Sequence, residues 1–204
     1  MSVRLLSTRS TVGLCAGLVV MLSGCASEPE PDVAPPAAPL TATEQRALVD
    51  HLVGAEELPP MRRTSDTLTR EDIVAEADLP DLGATLDTAG FRGGLKREYR
   101  GESRQLTGVE SQVLAFSSSV GARAFNTYLS KHAGAFFGEP TGVQRFTVDG
   151  RDGWLFDPPL CGCAGAQPLG AGAVQVASEV LVLQITGPRA DSHLLRILLR
   201  GAAS

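Results

Sequence analysis

Apolar side chains recur every three to four residues through the first third of the chain and closer to every second residue after it, so helices are expected first and strands later. From Thr43 to Gly54, Ala47, Leu48, His51 and Leu52 share one helical face, with Thr43 placed to cap the first turn and Gly54 to stop the last. Pro59 and Pro60 interrupt regular structure, and Thr69 followed three residues later by Asp72 forms a capping pattern that opens a second helix. Leu82, Leu86 and Ala89 keep helical spacing up to Gly90, a C-terminal stop. This first third reads as wholly helical.

Past Gly90 the period shortens. Phe91, Leu95 and Tyr99 alternate with Arg92, Lys96, Glu98 and Arg100 as a half-buried strand would, and Gly93 with Gly94 marks a bulge or a close approach within it. Val109 to Ser117 is apolar on both faces and reads as an interior strand. Ser118 or Ser119 caps a helix in which Ala124, Phe125, Tyr128, Leu129 and His132 fall together. Val143 to Val148 and Gly153 to Asp157 flank Asp149-Gly150, a hairpin signal. A second reversal at Ser178-Glu179 joins Ala173–Ala177 to Val180–Thr186, whose VLVLQI run suits a central strand. Asp191 or Ser192 caps a closing helix so rich in leucine that it must pack on the sheet.

The order from Phe91 is strand, strand, helix, four strands, helix. Strands joined by tight turns pair antiparallel, so the expected fold is α+β: a single antiparallel sheet of about six strands with helices packed on one face. The hydrophobic content of 43% and charged content of 20% are those of a globular chain.

The N-terminus has a different grammar. Arg4 and Arg9 precede an uncharged stretch from Thr11 to Leu22, as in an export signal. Twelve such residues would reach roughly 18 Å as a helix, short of the ~30 Å hydrocarbon core of a bilayer. The run that follows, Leu22-Ser23-Gly24-Cys25, resembles the lipobox of bacterial lipoproteins at all four positions. The resemblance implies cleavage after residue 24, a lipid on Cys25 and a protein held on the extracytoplasmic side of the cell membrane. Two or more acyl chains give stable attachment. Segment 25–42 is then a tether: from Ala26 to Ala42 it has five prolines, three acidic residues and little to bury. Residues 43–204 form one domain. Loss of Arg4 and Arg9 takes the net charge from −5 to −7, so nucleic acid and anionic headgroups are not expected partners.

Three stretches of the domain, Gly90–Tyr99 (GFRGGLKREY), Phe116–Leu129 (FSSSVGARAFNTYL) and Pro158–Cys163 (PPLCGC), resemble secreted actinobacterial lipoproteins, some with a PsbP-like sandwich of sheet and helices. That resemblance implies a binding or accessory role in the envelope.

Candidate chemistry is sparse. With Cys15 removed and Cys25 lipidated, Cys161 and Cys163 remain, separated by Gly162. In an oxidising compartment they could close a small structural disulfide, act as a labile redox pair, or bind Cu(I) through two thiolates. Arg92, Lys96, Arg97, Arg100 and Arg104 form the one basic stretch of an acidic chain, either a contact patch for an acidic partner or a solvated strand face balanced by Glu98 and Glu102. His51, His132 and His193 are scattered, and no G-x-S-x-G elbow, Walker loop or dinucleotide fingerprint occurs. No enzyme activity, cofactor or metal is therefore expected. The expected function is a membrane-anchored, non-catalytic binding or accessory domain whose partner is an envelope protein or a small apolar ligand, with envelope redox or copper handling through Cys161 and Cys163 as the alternative.

Overall fold

The computed structural model describes residues 37–77, 79, 81–101, 106–137, 142–156 and 169–204. Cys25, Arg104, Cys161 and Cys163 lie outside them.

Among these residues the helices are α1 (Ala42–Leu48), α2 (Arg70–Glu76), α3 (Leu82–Ala89), α4 (Ser119–Phe137) and α5 (Ser192–Ala203). The strands are β1 (Arg62–Leu68), β2 (Phe91–Arg100), β3 (Gly108–Phe116), β4 (Val143–Val148), β5 (Arg151–Phe156), β6 (Leu169–Val176) and β7 (Glu179–Thr186). They form one open sheet of seven strands in the order β1-β2-β3-β7-β6-β5-β4, antiparallel throughout. The α+β class and single antiparallel sheet are as expected, and VLVLQI occupies the centre as β7.

The additional strand is β1. Its sequence RRTSDTL has no apolar alternation because six of its seven residues are exposed at the sheet edge. Backbone pairing with β2 over the full length, from Arg62 opposite Arg100 to Leu68 opposite Gly94, holds it in place.

Helices cover both faces of the sheet rather than one. On β3 and β7, Val109, Val113, Leu181, Leu183 and Ile185 point toward a core closed by Leu48 of α1 and Leu195, Leu198 and Leu199 of α5. Leu114, Phe116, Val180 and Val182 alternate with them and point the other way, toward Ile73 of α2, Leu82 and Leu86 of α3, and Phe125 and Leu129 of α4. Strands apolar on both faces must be covered on both, and each fully buried leucine contributes about 1.5–3 kcal/mol only when its cover is in place. Strand β6 keeps the two layers close: Gly170 and Gly172 lie under Leu195 and Leu199, while Ala171 and Ala173 belong to the opposite core.

Local signals fix the element ends. Helix α1 is capped by Thr41, not Thr43, because Thr41 has Glu44 three residues on and completes a reciprocal capping box with it. Thr69 and Asp72 form the same box on α2, Gly90 ends α3 at φ 71°, and Asp191 accepts from the Leu194 amide at 2.8 Å. Asp149 and Gly150 both have positive φ, as a tight hairpin turn between β4 and β5 requires. The next reversal uses Ala177 and Ser178, one residue earlier than expected, since Glu179 already pairs with Val176. The pairing of β2 with β3 slips between Phe91 and Gly93, the bulge that the glycine pair foretold.

Candidate functional site

The described members of the basic stretch, Arg92, Lys96, Arg97 and Arg100, are divided between the two faces of the sheet. Strand alternation sends Lys96 and Arg100 to the face that carries α2, and Arg97 to the opposite one. Lys96 pairs with Glu76 and lies 3.5 Å from Glu98, which Arg100 also meets at 3.5 Å. Arg97 donates to the Val53 carbonyl at 3.0 Å, beside the Tyr99 hydroxyl, which donates to the same oxygen at 2.7 Å. These bonds tie the segment after α1 to the sheet.

Arg92 serves the N-terminal segment as well. Its guanidinium donates to both carboxylate oxygens of Glu44, at 2.8 and 3.1 Å, and to the Ala38 carbonyl at 2.9 Å. The Arg92 hydrogen bonds, joined by those from the Thr41 amide and hydroxyl, lower the pKa of Glu44 to about 2. A carboxylate depressed on folding adds stability above its unfolded value near 4.5, which is lost as pH falls toward 2. Helix α1 is therefore expected to loosen from the sheet between these values, ahead of the main core. Hydrogen exchange at the α1 amides checks this, and Glu44→Gln should remove the pH dependence.

Among the histidines, His51 Nδ1 lies 2.6 Å from Glu179 Oε2, a pairing across 128 residues that no local spacing reveals. His132 packs on the Tyr128 ring with centroids 4.4 Å apart. Trp154 and Phe156 belong to the core on the α4 side.

A concave feature that brings polar groups together from helix and sheet lies elsewhere. Helix α4 crosses the sheet over β6 and β7 and reaches β5 at Trp154, and between it and the edge strand β4 a groove of about 460 Å³ opens. One wall is the α4 stripe Arg123, Thr127 and Ser130, and the other is Arg145 and Thr147 on β4 with Asp152 on β5. Register places these strand residues side by side: Arg145 is opposite Trp154, and Thr147 opposite Asp152.

The floor is held by Asn126, only 7% exposed although it sits among the apolar residues Ala122, Phe125, Leu129 and Ala133. Its Oδ1 accepts from the Trp154 indole N–H at 2.9 Å, and its Nδ2 donates to the Asp152 carbonyl at 3.5 Å. A buried amide without partners would cost about 1–3 kcal/mol, so these bonds fix the spacing of helix and strands. The sequence reading missed this site because its residues come from separate elements. The available signal was Asn126 itself, a polar residue on the apolar face of α4.

No protein-family model matches the chain, and no curated protein matches it in sequence. In structure it is similar to the extracellular domain of PknH from Mycobacterium tuberculosis, with a TM-score of 0.50 and 12% identity, over 81% of this chain and 95% of that one. At that identity the likeness is one of fold.

Proposed function

We propose that this chain is a lipid-anchored, extracytoplasmic binding domain that holds its ligand between α4 and the β4–β5 hairpin. The observation that carries the reading is the groove: side chains from α4, β4 and β5 converge on one concavity, over a floor locked by the Asn126 bonds to Trp154 and Asp152. Sites carried on helices and strands hold their geometry better than sites on loops. Binding rather than turnover is favoured by the sequence, which lacks a recognisable nucleophile or phosphate-loop motif.

The extracytoplasmic placement draws on the signal-like N-terminus and on the fold shared with a domain described as extracellular. Anchoring draws on Leu22-Ser23-Gly24-Cys25. The attachment this reading requires is acyl chains on Cys25.

Cell fractionation tests it. The native chain is expected in the membrane fraction, labelled by radioactive palmitate, and Cys25→Ser is expected to lose the label and leave that fraction. A Cys25→Ser chain that still sediments with membranes would overturn the anchoring.

A further inference from the structure

The groove between α4 and β4–β5 has a definite chemical polarity. Arg123 and Arg145 reach it from different elements, and both are exposed. Among the described residues, neither guanidinium has a carboxylate within ion-pair distance, whereas Arg70, Arg92 and Arg100 each have one. Two like charges on one concavity repel until an anion lies between them, and the planar guanidinium fork matches the oxygens of a phosphate.

Thr127, Ser130 and Asp152 call for hydrogen-bond donors from a ligand. The Thr127 hydroxyl already donates to the Arg123 carbonyl at 2.9 Å, and that of Ser130 to the Thr127 carbonyl at 2.8 Å. Their remaining capacity toward the groove is to accept, as is that of the exposed Asp152 carboxylate. A ligand that satisfies both halves carries an anionic group and several hydroxyls. A bare anion leaves the acceptors idle, and a neutral sugar leaves the guanidiniums idle. The volume of about 460 Å³ falls within the ~300–1,000 Å³ typical of small-molecule sites. An extended polyanion is disfavoured by Asp152 and by the chain's net charge of −5.

We propose that this groove binds a soluble sugar phosphate, with the phosphate on Arg123 and Arg145 and the sugar hydroxyls on Thr127, Ser130 and Asp152. The proposal rests on the binding reading above and adds the ligand's chemical class.

The chain carries its own reporter, since Trp154 is its sole tryptophan and its indole N–H bonds to Asn126 in the floor of the groove. The full chain in detergent is titrated with glucose 1-phosphate and, separately, with glucose, and tryptophan fluorescence is followed. A saturable change is expected with glucose 1-phosphate and none with glucose over the same range. Arg145→Gln and Arg123→Gln should each weaken binding about tenfold or more, the loss typical of one charged hydrogen-bonded contact. Arg62→Gln, on the opposite edge of the sheet, should leave it unchanged. Equal responses to the two sugars, no response to either, or unaltered binding by Arg145→Gln with an unchanged melting temperature would overturn the proposal. So would a response to phosphatidylinositol vesicles without one to glucose 1-phosphate, which would move the ligand onto a membrane. Fractionation of Cys25→Ser is independent of all these outcomes, so failure of the ligand class and failure of the anchoring are told apart.

Discussion

Gly121→Ala is expected to destabilise the protein by about 3 kcal/mol, at the upper end of ordinary overpacking, although the same exchange inside a free helix would stabilise it by ~1 kcal/mol. A Cβ at position 121 would lie 1.9 Å from the Ala89 carbonyl oxygen and 2.9 Å from the Ala89 carbonyl carbon. Both are backbone atoms at the end of α3, so no side chain can swing away and the two helices must part. That movement uncovers Leu82 and Leu86 of α3, both fully buried. For a domain of this size the loss corresponds to a fall of roughly 6–12 °C in melting temperature. Gly142→Ala is the control, since nothing lies within 4 Å of a Cβ built there. Thermal unfolding of the two variants side by side should show a large drop for the first and little change for the second. Equal melting temperatures would mean that α3 and α4 do not meet through Gly121.

Phe125→Ala is expected to cost about 3–5 kcal/mol, the usual range for emptying a buried aromatic site. Phe125 is fully buried, with its ring 5.1 Å from that of Phe116 on β3 and 6.1 Å from that of Tyr128 one turn along α4. Alanine removes the central ring of this row and leaves a cavity that the rigid sheet cannot fill. Phe125→Leu keeps most of the volume and should cost less than about 1.5 kcal/mol. Urea unfolding followed by circular dichroism gives both values. Because Phe125 adjoins Asn126, the alanine variant should also change the emission of Trp154 in the folded state. A loss below about 1 kcal/mol for Phe125→Ala would show that α4 is anchored by other contacts.

Most of the element order was legible in the chain because its local signals are strong. The Thr69 and Asp72 pair, the Gly90 stop, the Asp149-Gly150 turn and the Asp191 cap each act through neighbouring backbone groups and need no tertiary context. The strand at Arg62–Leu68 was not legible, since an edge strand held by backbone pairing and exposed along most of its length has no hydrophobic alternation to display. Nor was the division of helices between two faces, although Val113 next to Leu114, and Leu181 next to Val182, carried the hint that both sides of the sheet needed cover.

The groove was harder still. Arg123, Asn126, Arg145 and Asp152 meet only because α4 returns the chain from β3 to the far edge, where β4 folds back on β5. Residue spacing cannot express that convergence. The basic stretch of β2, conspicuous in sequence, is instead divided by strand alternation, and its described members engage Glu44, Glu76, Glu98 and the Val53 carbonyl.

The central claim is that the face of the sheet bearing α4, at its β4–β5 edge, is the binding surface. Nuclear magnetic resonance of the isotope-labelled full chain, titrated with glucose 1-phosphate, tests it residue by residue. Shifts are expected at the amides of Arg123 to Ser130, Arg145 to Thr147 and Asp152 to Trp154, with α1 and α5 on the opposite face unmoved. Shifts concentrated on α1 and α5, with the amides of α4 and the β4–β5 hairpin silent, would contradict it.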